Sequence, residues 1–265
     1  MPWVARGLRE GIVTTRYPRR PDDHGPDFVA AVTVTDQPAE GAGQGLAGLC
    51  PTGAISVGPP VAVDRGRCIL CGHCVDARPE MFAYESSPGT ARLHRRLLVT
   101  PPAPGDDDLE ARVRAELAAR VRRFGRSLHI RHVDAGSDGS EEWEIAALTG
   151  PIYDVHRLGI FFTASPRHAD VLLVTGAGTA GMAEPLQRTY HAMPDPKVVV
   201  AVGTDAISGG LVHPTYVTRG GVAGLLPVDV CVPGSPPSPF SILHGLLLAM
   251  GRLGGTRPLR ARGRG

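Results

Sequence analysis

Short apolar segments recur through the second half of the chain and are separated by segments of helical length. The strand candidates are SLHIRHV, RLGIFFTA, ADVLLVTG and KVVVAVG, and the middle two have so few polar residues that we expect them to be buried. The helix candidates are MAEPLQRTYHAM and SPFSILHGLLLAMGRL. Strands that alternate with helices predict a parallel α/β sheet, which we place within residues 129–255.

One further helix is predicted ahead of this α/β region, from Leu109 to Phe124. Its apolar residues recur at helical spacing, as Leu109, Val113, Leu117 and Val121. The preceding PPAPGDDD segment is rich in turn residues, so Asp106–Asp108 are candidates for the helix N-cap, and Gly125 is expected to end the helix. We therefore interpret residues 101–128 as a linker followed by a helix.

The first 100 residues have shorter and less regular apolar segments. Residues 1–30 predict an irregular arm with a short helix near Val4–Gly11, and VAAVTV and ISVG predict short strands beyond it. We interpret residues 1–100 as one small module. At the other end, residues 256–265 carry four arginines and are expected to form a disordered basic tail.

The composition limits the classes of function that this chain can serve. Its formal net charge is +2 over 265 residues, which argues against bulk electrostatic binding of nucleic acid. No apolar run approaches the roughly 18–20 residues that span a bilayer, and the N-terminus lacks the apolar segment of a secretory signal. We expect a cytoplasmic protein without a transmembrane segment of its own.

The cysteines are the first residues that indicate a specific chemistry. Cys68, Cys71 and Cys74 form a C-x2-C-x2-C run, and Cys50 precedes a proline in LCPTGAI. Bacterial ferredoxins carry the run C-x2-C-x2-C-x3-C-P, in which the fourth cysteine binds the other cluster. Three thiolates spaced in this way can reach three corners of a cubane, and a distant fourth thiolate closes the cage. The sequence therefore predicts one [4Fe–4S] cluster on these four cysteines.

The second cluster of such ferredoxins is predicted to be lost. In the crossed arrangement its ligand positions hold Glu40, Gly43, Leu46 and Arg78. Zinc also accepts four thiolates, so a zinc site and an incidental grouping of cysteines are alternative interpretations of the remaining set. Cys231 is left over, and we interpret it as a buried thiol.

A glycine motif indicates a different cofactor. Gly176, Gly178 and Gly181 spell G-x-G-x-x-G between a predicted strand and a helix, and Asp205 follows the next strand, as in dinucleotide-binding folds. The motif lies in the middle of the α/β region rather than at its first strand. Nucleotide binding is therefore the weaker alternative.

Long segments of the chain resemble a known family. From about His129 to Leu253 the sequence resembles the small, cluster-bearing subunit shared by respiratory complex I (NADH:quinone oxidoreductase) and membrane-bound, energy-converting [NiFe] hydrogenases, in RLGIFFTASPRHADVLLVTG, AISGG, GGVAGLLPVDV and VPGSPPSP. Residues 5–100, with GLREGIVTTRYP, resemble the ferredoxin-type subunit of the same complexes. The resemblance implies an α/β protein, in which an N-terminal α+β ferredoxin-like module precedes a parallel-sheet, flavodoxin-like domain.

The resemblance also implies that the family's small-subunit cluster has lost its four cysteine ligands here. Their positions hold Asp138, Glu141, Asp205 and Ser235. These residues are expected to converge on one pocket, where at least one carboxyl pKa should rise because three acids lie close together. Storage of protons or binding of a hard cation is one interpretation of such a pocket, and polar filling of a vacated cavity is the other.

The resemblance implies a function within a larger assembly. We expect an iron–sulfur subunit of a membrane-associated oxidoreductase complex, peripheral on the inner face of the cell membrane, whose electron transfer is limited to one cluster. The implied partners are a hydrogenase or complex I large-subunit homologue and antiporter-like membrane subunits. The alternative is a structural or coupling subunit of an ion-translocating complex, with no electron relay through its C-terminal domain.

No catalytic activity is expected of the chain alone, because no nucleophile–base arrangement stands out. Four further charged residues lie on segments that match the family near its partner-facing side. Structural ion pairing and a proton route are both open interpretations of these residues, which are Glu144, Arg157, Arg167 and His168.

Overall fold

The computed structural model describes residues 3–20, 22, 27–36, 45–125, 127–212 and 214–253. The predicted basic tail and the positions Glu40 and Gly43 lie outside the described residues. Within the described part of the chain, no helix is both long enough and apolar enough to cross a membrane.

The N-terminal third consists of short elements around two small antiparallel sheets. Its elements are α1 (Trp3–Glu10), β1 (Ala31–Val34), α2 (Leu46–Leu49), β2 (Ile55–Ser56), β3 (Ala62–Asp64), α3 (His73–Ala77), β4 (Phe82–Glu85), a 3-10 turn (Arg95–Leu98) and β5 (Val99–Thr100). Strand β1 pairs with β4, and β3 pairs with both β2 and β5. A small core that includes Val32, Ile55 and Phe82 lies between these elements, and three of the cysteines pack against it.

A long helix, α4 (Asp106–Val121), connects this region to the C-terminal sheet, and it begins three residues before the predicted start. Gly105, with φ +83°, occupies the N-cap, so Asp106–Asp108 lie in the first turn instead of at the cap. There the carboxylates are close to the positive end of the helix dipole. The helix continues as a 3-10 turn, Arg122–Phe124, and ends at Gly125 as predicted.

The C-terminal region is a parallel five-stranded sheet with helices packed on it. Its strands are β6 (Leu128–Asp134), β7 (Ile160–Phe162), β8 (Val171–Thr175), β9 (Val198–Val202) and β10 (Val230–Val232). They lie in the order β10-β9-β8-β6-β7, and all neighbouring pairs are parallel. Counted within this region the order is 2-1-3-4-5, the flavodoxin-like arrangement. The predicted fold class is therefore confirmed.

Four helices of the C-terminal region follow the strands. They are α5 (Ser140–Ala147), α6 (Ala180–Ala192), α7 (Thr204–Ser208) and α8 (Pro239–Ala249), with 3-10 turns at Val155–Leu158 and Pro166–His168. Helix α8 is buried along nearly its whole length, with its leucines in the main core beside β9 and β10. Helices α6 and α8 correspond to the two predicted helices.

The C-terminal region also differs from the predicted elements. Strand β10 and helix α5 are present although the apolar pattern does not predict them. The predicted burial of RLGIFFTA is wrong, because its strand β7 lies at the sheet edge and Phe161 is 38% exposed. An edge strand has a neighbour on one side only, whereas the central strands β8 and β9 are buried throughout.

The N-terminal elements pack directly on the C-terminal sheet. Arg92 and Cys231, in β10, exchange backbone hydrogen bonds of 2.9 and 2.8 Å. Tyr17 is buried with its ring edge-on to Phe240, and its carbonyl accepts a hydrogen bond of 2.8 Å from the Arg157 guanidinium. The two regions therefore share a continuous interface in addition to the connecting helix.

Candidate functional site

Four of the five cysteines line one pocket in the N-terminal region. Cys50 lies at the C-cap of α2, Cys74 lies in α3, and Cys68 and Cys71 lie on the loop before α3. The other walls of this pocket are largely apolar and include Val32, Leu49, Ala54, Ile55 and Val63. Cys71 is the exposed member of the set. The structure therefore brings the predicted cysteine set together at the surface of the small N-terminal core.

The cysteine loop depends on two residues with left-handed backbone conformations. Leu70 has φ +57° and Gly72 has φ +82°. A Cβ at Gly72 would lie 2.4 Å from the Tyr84 hydroxyl, so only glycine fits there without displacing the tyrosine. These two turns reverse the chain within the C-x2-C-x2-C run, which allows its successive thiols to face the same pocket.

The surroundings of the thiols favour a bound group of positive charge. Burial raises the pKa of the Cys68 thiol to about 12, and the nearby cysteines add to this rise. Burial also raises the pKa of Cys74. Thiolates in such a place need a compensating charge, which iron ions supply. Backbone N–H groups already point at the sulfurs, since Ala54 N donates to Cys50 Sγ at 3.2 Å.

The donor set fits a polynuclear cluster better than a single ion. Among the described residues, no group of three or more His, Cys, Asp or Glu side chains is arranged to hold one metal ion. The four cysteines line one pocket. Zinc requires four ligands at about 2.3 Å from one centre, whereas the corners of a cubane lie apart. The C-x2-C-x2-C spacing within this all-thiol set is that of iron–sulfur proteins, whereas zinc sites usually combine two separate C-x2-C pairs.

The three acids at the positions where the resemblance predicts lost cysteine ligands lie at the carboxyl edge of the parallel sheet. Asp138 and Glu141 follow β6, and Asp205 follows β9. Glu141 is 1% exposed and packs over Gly203, where an added Cβ would lie 2.3 Å from its Oε1 atom. The three acids are close enough to act on one another electrostatically. Ser235 follows β10 and is exposed, and no described contact joins it to the acids.

Two of these carboxyl groups show the expected rise in pKa. Burial raises the pKa of Glu141 to about 7, and the charges of Asp205 and Asp138 add to this effect. Burial also raises the pKa of Asp205, with Asp138 adding. Asp138 behaves oppositely, because hydrogen bonds from the Ser140 hydroxyl and backbone N–H lower its pKa. Glu141 is thus the acid of this group with a near-neutral pKa.

A residue that sequence patterns do not indicate connects this acidic group to the cysteine loop. The Thr204 hydroxyl donates to the Cys68 carbonyl at 3.0 Å, and it lies 3.1 Å from the Gly234 carbonyl. A small pocket next to this contact is lined by Cys68, Leu70, Pro233 and Gly234. The only sequence signal for this contact is a threonine directly before Asp205.

The glycine motif is used for packing between loops. Gly176 and Gly178 have φ values of +81° and +71°, and a Cβ at Gly176 would lie 2.4 Å from backbone atoms of the loop after β6. The N–H groups of Ala177, Thr179 and Ala180 donate to protein carbonyls at 2.7–3.2 Å. A phosphate would need these donors free. The geometry therefore gives no support to nucleotide binding.

The remaining candidate residues have structural surroundings. Cys231 is 4% exposed in β10, and burial raises the pKa of its thiol to about 12, as expected for a buried thiol. Arg157 binds the Tyr17 carbonyl at the interface of the two regions. Burial raises the pKa of Glu144 on α5. Arg167 and His168 form a 3-10 turn before β8.

Two families match separate parts of the chain. The family described as NADH ubiquinone oxidoreductase, 20 Kd subunit, matches residues 139–249. The family described as 4Fe-4S single cluster domain matches residues 61–123, which include Cys68, Cys71 and Cys74. The first match covers most of the parallel sheet, and the second covers the cysteine run and the whole of α4.

Individual relatives extend this similarity. The chain is 40% identical over 159 residues to formate hydrogenlyase subunit 7 of Escherichia coli, and it spans 60% of that protein's length and 60% of its own. A chain in the solved structure of a membrane-bound sulfane sulfur reductase, an archaeal respiratory membrane complex, is 32% identical with a TM-score of 0.44, covering 50% of this chain and 74% of that one. The probable membrane-bound hydrogenase subunit mbhJ of Pyrococcus furiosus is 40% identical over 142 residues, 54% of this chain and 85% of that protein. The chain thus covers most of the mbhJ protein, and the family match extends over most of the parallel sheet. It therefore belongs to the family of the NADH ubiquinone oxidoreductase 20 Kd subunit.

Proposed function

We propose that this chain is an iron–sulfur subunit of a membrane-associated oxidoreductase complex related to complex I and to membrane-bound [NiFe] hydrogenases. It carries one [4Fe–4S] cluster on Cys50, Cys68, Cys71 and Cys74. The observation on which this proposal rests is the single pocket lined by all four cysteines. The single-cluster family match and the names of the two hydrogenase-related proteins support it.

One cluster is the number that the cysteines can hold. Beyond these four the chain contains only Cys231, which is buried in β10 away from the pocket. At the positions where the family's small subunit has cysteines we propose Asp138, Glu141, Asp205 and Ser235. Carboxylate and hydroxyl oxygens are poor ligands for iron–sulfur clusters compared with thiolates. Electron transfer is accordingly limited to the N-terminal cluster.

The chain's own residues define how the cluster would be held. The apolar wall of the pocket excludes water, and the Ala54 N–H aimed at Cys50 Sγ favours the reduced state by stabilising negative charge on sulfur. When bound, the cluster supplies one-electron transfer. Cys71 is the exposed ligand, so electrons enter or leave on its side of the pocket.

The assembly and its location follow from the relatives. We infer a large-subunit homologue and antiporter-like membrane subunits as partners, with the chain bound peripherally at the inner face of the membrane. Residues 1–100 form the ferredoxin-like module, 101–128 the connecting segment, 129–255 the small-subunit-like domain and 256–265 a basic tail.

A second function is favoured by the acidic group in the C-terminal region. The chain would then be a structural or coupling subunit of an ion-translocating complex, with no electron relay through its sheet domain. The buried Glu141 beside Asp205 supports this function, because these groups can exchange protons but cannot pass electrons. The two functions differ in whether the N-terminal cluster takes part in turnover.

Anaerobic purification with analysis of iron and acid-labile sulfide tests the proposal. About four irons and four sulfides per chain, with a single EPR signal after dithionite reduction, are expected. Cys68→Ala should abolish the signal, and the matched variant Cys231→Ala should keep it. About eight irons per chain would contradict the single cluster, and zinc in place of iron would contradict the redox function.

A further inference from the structure

We propose that Glu141 is a proton acceptor coupled to the N-terminal cluster, so that the fraction of Glu141 that is protonated rises when the cluster receives an electron. This inference rests on the proposed function and adds a proton to its electron transfer. The electron comes from a low-potential one-electron donor, such as a reduced ferredoxin, and the proton comes from solvent. The only bond formed is the O–H bond at the Glu141 carboxyl group, each proton bound there offsets the charge of one added electron, and the donor is oxidised by one electron.

A short chain of contacts connects the Glu141 carboxyl group to a proposed cluster ligand. Glu141 is buried, and its Oε1 atom packs against Gly203 so closely that a Cβ there would lie at 2.3 Å. The next residue, Thr204, donates its hydroxyl to the Cys68 carbonyl at 3.0 Å. One residue of backbone and one hydrogen bond therefore separate the acid from the Cys68 loop. The contact crosses the interface between the two regions of the chain.

The groups that face Glu141 keep its proton affinity close to neutral pH. Asp205, on α7, and Asp138, in the loop before α5, add negative charge to the effect of burial, and the pKa of Glu141 is raised to about 7. The Ser140 hydroxyl donates to its Oε2 atom at 3.2 Å and opposes this rise. A carboxyl group with a pKa of about 7 is partly protonated at neutral pH. Additional negative charge nearby therefore increases the fraction that is protonated.

Two arginines on the cluster side of the interface are paired with carboxylates, while Asp76 on α3 adds a negative charge near Tyr84. Arg65 lines the pocket beside Cys68 and pairs with Glu85 at 2.6 Å. Arg95, beside Gly66, binds both carboxylate oxygens of Asp64 at 2.6 and 2.5 Å. Asp76 is exposed to solvent, whereas Glu141 is 1% exposed, so Glu141 is the buried acid whose charge can respond to an electron on the cluster.

Electrostatics supplies the scale of a coupling between a charge and a carboxyl group. A unit charge about 12 Å from a carboxyl group shifts its pKa by about one unit when the effective dielectric constant is about 20. If reduction of the cluster raises the pKa of Glu141 by one unit, the midpoint potential of the cluster at high pH lies about 59 mV below its value at low pH. We therefore expect the cluster potential to fall as pH rises, with the change centred just above pH 7.

EPR-monitored redox titration of the full anaerobic chain between pH 6 and 9 measures this coupling. The wild type should show the falling potential, and Glu141→Gln should show a flat one at unchanged iron content. Glu144→Gln is the matched control, because Glu144 lies on the same helix but its charge raises the pKa of Tyr153 instead. In redox-difference infrared spectra a protonated carboxyl band should appear on reduction in wild type and Glu144→Gln but not in Glu141→Gln.

The outcomes separate this inference from the function on which it rests. A normal cluster signal whose potential does not change with pH contradicts the coupling alone, as does a slope that persists in Glu141→Gln. The absence of any reducible iron–sulfur signal in the wild type contradicts both. If Glu141→Gln does not fold, Asp205→Asn provides the test. Removing the Asp205 charge should shift the pH range over which the cluster potential falls to lower pH than in the wild type. An unchanged pH range contradicts the inference.

Discussion

Replacing Glu141 with glutamine should stabilise the protein above pH 7 and change its stability little near pH 5. Burial raises the pKa of this carboxyl group from 4.5 to about 7, so between these values the folded state binds more protons than the unfolded state. The free energy of unfolding then falls as pH rises through this window. Glutamine keeps the shape and the hydrogen bond from Ser140 but does not ionise.

The magnitude follows from the difference between the two pKa values. A shift from 4.5 to about 7 corresponds to an upper limit of about 3 kcal/mol, at roughly 1.36 kcal/mol per unit. Solvent near the carboxyl edge of the sheet screens part of this cost, which leaves about 2 kcal/mol. For a chain of this size the gain at pH 8 amounts to a rise of about 4–8 °C in melting temperature.

Thermal unfolding of full chains with equal iron content, at pH 5, 6, 7 and 8, measures this effect. Glu184→Gln is the control, because Glu184 is exposed on α6 and pairs only with exposed Arg188. Its melting temperature should follow the wild type at every pH. A difference between Glu141→Gln and wild type that is the same at pH 5 and pH 8 would refute the assignment of a near-neutral pKa to Glu141. So would a variant that is less stable than wild type at pH 8.

Three further predictions concern the loops and the cysteine site. Gly176→Ala should lower the free energy of unfolding by about 2 kcal/mol or more in urea denaturation, because its φ is +81° and its Cβ would lie 2.4 Å from backbone. Gly181→Ala, in α6 with nothing within 4 Å, should leave that free energy unchanged or raise it by roughly 0.5–1 kcal/mol. Cys231→Ala should retain full iron per chain and lose about 1 kcal/mol of stability, measured by metal analysis and urea denaturation. Thr204→Val, which removes the donor to the Cys68 carbonyl, should make iron loss to a chelator several-fold faster, and an unchanged rate would contradict a supporting role for this contact.

The elements that sequence reasoning predicts well are those whose apolar pattern is long. Strand β9 is a run of five apolar residues and β8 is four apolar residues followed by Thr175, both buried throughout, and α4 follows a helical stripe of apolar residues. Strand β10 has only three residues between loops that contain proline, which is too short for its period to be recognised. Helix α5 begins at a glycine cap and leaves Trp143 79% exposed, so its pattern does not resemble a buried helix.

The cysteine set could be predicted because its spacing is local. Cys68, Cys71 and Cys74 lie within one loop, and the rule for the fourth ligand points to Cys50. The contact between Thr204 and Cys68 is different, since it joins residues 136 positions apart across the interface of two regions. No local pattern encodes such a contact. It depends on how the N-terminal elements dock on the sheet, which the exchange of hydrogen bonds between Arg92 and Cys231 helps to determine.

The grouping of the acids depends on sheet topology and not on their identity. In a parallel sheet the carboxyl ends of all strands meet at one edge, so the loops after β6 and β9 converge whatever residues they carry. With thiolates at these positions the same edge would hold a metal cluster, whereas carboxylates there can hold protons. The Cys68 loop docks on this edge through Thr204, which places the acids beside the pocket that the four cysteines line. Under the proposed function a proton site therefore lies next to the proposed cluster, and this is the reason to measure the cluster potential as a function of pH.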